Sequence, residues 1–124
     1  MSLRFQINHA ERLIVGVTGG VLTLKDLLAF WREVENNKAV SYRKIVDMVG
    51  GTPMLSAADI EAFHEKLAAL PAHVHSGPLA LVTSHEHEEV ARLFSELTSD
   101  RRPVKVFHSI HEARKWLKET PVKR

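Results

Sequence analysis

Lys44-Ile-Val-Asp-Met-Val-Gly-Gly-Thr-Pro-Met-Leu-Ser-Ala-Ala-Asp59 is the stretch that decides the fold. Its apolar run, Ile45 to Val49, reads as a buried strand; Gly50 and Gly51 read as a turn. Ser56, with Asp59 three residues on, reads as the capped start of a helix. Comparable strand and helix signals lie on both sides of this step. A site on such a layered fold is therefore expected where the strand's C-terminal end meets the loop.

Working outward toward the N-terminus, Leu3, Phe5 and Ile7 alternate with Arg4, Gln6 and Asn8, the period of a half-buried strand. A short polar turn separates them from a β-branched run over Arg12 to Thr18, which predicts a hairpin. Gly19 and Gly20 end it, and Thr23 with Asp26 opens a helix running to about Asn36. Its apolar positions Leu24, Leu27, Leu28, Phe30, Trp31 and Val34 span an arc of roughly 160°, wider than the stripe that packing on a sheet requires. Phe30 stands at one edge of that arc, outside the expected main core, where it would pack against a loop or a neighbouring helix, or else line a groove or a dimer contact.

Toward the C-terminus, the helix after Ser56 carries Ile60, Phe63, Leu67 and Leu70 and stops at Pro71. Pro78 to Thr83 is a continuous apolar run, as in a strand covered on both faces. Ser84 opens a third helix (Val90, Ala91, Phe94, Leu97), Val104 to Phe107 is a last strand, and Ser109 with Glu112 caps a fourth helix. The order is β-β-α-β-α-β-α-β-α. The expected fold is α/β: a mainly parallel five-stranded sheet with an antiparallel edge hairpin and helices packed on it.

The length of 124 residues suits a single domain, expected over 1–120, followed by a basic tail at 121–124. No apolar run reaches the roughly 20 residues of a membrane span, and the first residues lack a signal-peptide centre, so a cytoplasmic setting is the expectation. The chain has no cysteine, which excludes disulfides, thiolate nucleophiles and cysteine-ligated metals. From Arg101 onward the chain is basic (Arg101, Arg102, Lys105, Arg114, Lys115, Lys118, Lys123, Arg124), making an anionic membrane surface a candidate partner. No aromatic interleaving or recognition motif points to nucleic acid.

Several local signatures resemble the SpoIIAA-like family, relatives of the STAS domain of anti-sigma-factor antagonists that are sometimes grouped with the lipid-binding Sec14 domain. They are Arg12-Leu-Ile-Val-Gly-Val-Thr-Gly19, Leu24-Lys-Asp-Leu-Leu28, Tyr42-Arg-Lys-Ile-Val-Asp47, and Val104-Lys-Val-Phe-His-Ser-Ile-His-Glu-Ala113 with Trp116 and Leu117. The resemblance implies a small non-enzymatic module that binds a partner protein. Many STAS domains are switched by phosphorylation where the helix after the central strand begins. Here that position is Ser56, although the Asp-Ser-Ser-Gly pattern of the phosphorylated antagonists is absent. Ser56 reads first as an N-cap.

The residues themselves add candidates and exclusions. His73 and His75, and His85 and His87, are the paired histidines; they flank the Pro78–Thr83 strand at opposite ends and should not meet, so no metal site is expected. Asp47 has no partner at a diagnostic spacing and reads as an acceptor for loop amides. Gly50-Gly51-Thr52 lacks the lysine of a phosphate-binding loop. No nucleophile has an identifiable base, so no catalytic residue and no cofactor is expected. Met54 and Leu55 are apolar residues in a loop. Together with Phe30, Trp31 and Phe63 they make the candidate binding surface, for a protein partner, a second copy of the chain, or a small lipid-like ligand.

Overall fold

The computed structural model describes residues 2–122; Lys123 and Arg124 of the basic tail lie outside them. β1 (Leu3–Asn8) and β2 (Leu13–Thr18) form the antiparallel hairpin, in register from Leu3 opposite Thr18 to Asn8 opposite Leu13. α1 (Leu24–Asn36) follows, preceded by a short strand β3 (Gly20–Leu22). β4 (Arg43–Asp47), a second short strand β5 (Gly51–Pro53) and α2 (Ala57–Ala68) make up the deciding stretch. β6 (Leu79–Val82), α3 (Glu88–Thr98), β7 (Val104–Phe107) and α4 (Ile110–Glu119) complete the chain.

The main sheet has the order β1-β2-β4-β6-β7; its antiparallel edge hairpin and otherwise parallel strands are those expected from the sequence. β4 is its middle strand. Alternation along β4 and β6 divides their side chains between the two faces. Val46, Leu79 and Leu81 join Leu27, Trp31, Val34, Ile60, Phe63, Ala91 and Phe94 in the larger core, under α1, α2 and α3. Ile45, Ala80 and Val82 meet Ala113 and Leu117 of α4 on the other face. Arg43 ties α4 down: its Nε donates to the carbonyl of Leu117 at 2.7 Å and an Nη to that of Thr120 at 3.0 Å, a cation at a helix C-terminus.

Three local expectations are corrected. The central strand ends at Asp47 rather than Val49, and Val49 is exposed. Gly51 is no turn residue: it begins β5, which pairs in parallel with β3, Gly20 opposite Gly51 and Leu22 opposite Pro53. A Cβ on Gly51 would lie 2.3 Å from the Thr18 side chain, so the residue is glycine because β5 must pass close over the end of β2. The third helix begins at Glu88, four residues later than Ser84; a 3₁₀ turn, His85–His87, leads into it.

Candidate functional site

Strands β2, β4, β6 and β7 run the same way, so their C-terminal ends gather at one edge of the sheet. The chain leaves that edge through Gly19 into β3, through Met48–Gly50 into β5, through Thr83–Ser84 into the 3₁₀ turn, and through His108 into α4.

Phe30, Trp31, Leu55 and Phe63 come together inside the protein. Phe30 belongs to the main core rather than lying outside it, because the edge strand β1 reaches its side of α1; its ring meets Phe5 edge-on at 4.9 Å. Trp31 meets Phe63 edge-on at 5.9 Å, and Phe63 meets Phe94 at 5.6 Å. These contacts close α1 against α2 and α3, leaving a cavity of about 40 Å³ lined also by Leu22, Met48 and Leu81. Met54 does not join them. Its amide donates to the Leu22 carbonyl at 2.8 Å, fixing it beside the end of β3, and its side chain is 60% exposed.

Two cations border the same cavity. Lys44 is buried, and its Nζ donates to the carbonyls of Val40 (2.7 Å) and Tyr42 (2.8 Å). Burial, reinforced by the charge of Arg102, holds its pKa well below that of an ordinary lysine. Arg102 is buried too, so it does not belong to the basic face read from the sequence; one Nη donates to the Thr98 carbonyl, and its Nε has no partner among the described residues. Burial pushes its pKa down to about 10, which leaves it charged at neutral pH.

At the N-terminus of α2, Ser56 and Asp59 form a reciprocal capping box. The Asp59 amide donates to Ser56 Oγ at 3.1 Å and the Ser56 amide to Asp59 Oδ2 at 3.0 Å. Asp47 accepts from the Val49 amide at 3.0 Å, the structural role read from the sequence.

Sequence reasoning missed a cluster at the ends of β6 and β7. In the 3₁₀ turn, residues three apart lie one above the other, so His85 and Glu88 share a face while His87 points elsewhere. The register sets Val82 opposite Phe107, and the Thr83 amide donates to the Phe107 carbonyl at 2.9 Å, so His108 emerges beside His85. The two imidazoles lie with centroids 4.1 Å apart and planes inclined by 33°. His108 Nε2 lies within hydrogen-bond reach of Glu88 Oε1, and Arg92 Nε donates to Glu88 Oε2 at 3.0 Å. Chiefly through Arg92, and also through His108, the Glu88 carboxyl is held below its usual pKa. A longer-range pairing pattern would have been the only sequence signal for this cluster, because 23 positions separate His85 from His108.

No protein-family model and no curated protein matches the sequence. Among solved structures, the chain is similar to an uncharacterized protein of the DUF3478 family, with a SpoIIAA-like fold, from Shewanella loihica PV-4. The TM-score is 0.64 and the identity 16%, over 94% of this chain and 93% of that one. At that identity the likeness speaks for architecture alone. The chain has the SpoIIAA-like fold that the residues of its strands and helix starts had suggested.

Proposed function

We propose that this chain is a non-enzymatic regulatory module that acts by binding another protein through the sheet edge where β2 and β4 end. The observation that carries this reading is the group of exposed apolar side chains there. Val17 (50%), Val21 (53%), Val49 (51%) and Met54 (60%) all lie on β2, on β3 or on the segments that follow β4 and β5. Single exposed apolar residues need no explanation, whereas several on neighbouring strand ends are what a partner surface uses. Ser56 opens α2 at the same edge, so a phosphate added there would alter that surface and would be stabilised by the free amides of the helix.

A lipid-like ligand finds less support. The closed contact of α1 with α2 leaves space for only a few water-sized groups, against the roughly 300 Å³ or more of a small-molecule site. No helix among the described residues is long and apolar enough to cross a membrane. A cytoplasmic setting accords with the protein-binding reading.

The test is affinity capture from cell extract with the wild-type chain and with Val21→Glu/Met54→Glu, both exposed substitutions, with lipid analysis of the same eluates. The reading expects a partner held by the wild type and lost by the double variant. Capture that ignores the substitutions, or an eluate containing lipid and no protein partner, would overturn it.

A further inference from the structure

We propose that His85, Glu88 and His108 form a binding site for a divalent transition-metal ion of the zinc class, open to solvent on one side. Each offers one ligand atom, and these atoms lie within 4.8 Å of one another. Two ligand atoms on one zinc ion sit roughly 3.3 Å apart, at about 2.0–2.2 Å from the metal. Closing the cluster onto an ion therefore asks for small side-chain rotations. His85 and His108 are exposed and Glu88 half-buried, so those rotations disturb no core packing.

The donor set is informative. Two neutral imidazoles and one carboxylate suit zinc, nickel, cobalt or copper, and are poor ligands for calcium or magnesium, which prefer six or more oxygens. Three protein ligands leave at least one coordination position for water or for an incoming donor, as in open metal sites. Glu88 is pre-arranged for this role. Arg92 holds Oε2, which orients the carboxylate and leaves Oε1 directed to His108.

The imidazoles are already gathered, with ring centroids 4.1 Å apart, so one ion can reach a nitrogen of each. Strand pairing sets this arrangement: His108 directly follows β7, which pairs with β6, and His85 opens the 3₁₀ turn after β6. This inference is independent of the protein-binding reading, since it concerns the other half of the same sheet edge.

The test is isothermal titration of the purified chain with zinc chloride, repeated on His108→Ala, Glu88→Gln, His87→Ala and His73→Ala/His75→Ala. One saturable site is expected, weakened at least about tenfold by His108→Ala and by Glu88→Gln. It should be unchanged by His87→Ala and by the His73/His75 pair. Zinc should also raise the thermal midpoint of the wild type and not that of His108→Ala, because a ligand stabilises the state that binds it. Absence of saturable binding to the wild type, or an affinity that follows His87 or His73 and His75 instead of His108, would overturn the site and leave Glu88–His108 as a surface polar contact only.

Discussion

Lys44 shows most directly how burial changes a residue's chemistry. Its place between Arg43 and Ile45 in an apolar run puts it on the core face of β4, where its ammonium meets two carbonyls and no carboxylate. The lowered pKa has a thermodynamic consequence with a definite sign. The unfolded chain keeps the lysine proton up to about pH 10.4, while the folded chain releases it well below that. Between those values the unfolded state binds more protons, so this group's contribution to stability grows as pH rises through that window. Lys44→Met, which removes the titration, should give a flatter dependence of stability on pH than the wild type from neutral pH toward 10. Urea midpoints measured across that range check it, and parallel profiles would show that Lys44 does not titrate there in the folded state.

The elements that the sequence defined well are those with enough residues to show a period. α1, α2 and the five strands of the main sheet fall where alternation, helical spacing and capping residues place them, save that β4 stops two residues short of the apolar run. β3 and β5 have three residues each, too few for any period, and pair only because the chain continues past the ends of β2 and β4 side by side. Gly51 makes that continuation sterically feasible. Gly51→Ala should force Thr18, which is fully buried, out of place and cost about 1–3 kcal/mol, with the β3-β5 segment loosened first. Denaturant titration together with amide exchange at Val21, Thr52 and Met54 checks both parts. Unchanged stability would mean that the backbone relaxes without loss.

At the scale of the whole molecule the two faces of the sheet are covered unequally, by three helices on one side and by α4 alone on the other. Ala113, without exposed surface, packs in one cluster with Ile45, Ala80 and Val82 of the sheet. Ala113→Glu would bury a carboxylate without a partner and should destabilise the protein by about 3 kcal/mol or more, detaching α4 and exposing that face to apolar dyes. Dye binding with a lowered thermal midpoint is the expected result; a wild-type midpoint would contradict the packing. What the sequence by itself determined is the layered α/β order, the middle position of Lys44–Asp59, the cap at Ser56 and the resemblance to the SpoIIAA-like fold. These rest on local periodicity, turn residues and capping pairs, which a chain displays without being folded. Only the tertiary structure decided that Phe30 is buried against Phe5, that Met54 faces outward while Trp31 and Phe63 close inward, and that His85 meets His108 rather than His87. Each of these depends on which strands lie side by side and in what register, and the pairing of segments distant in sequence is set by the packing of the whole sheet.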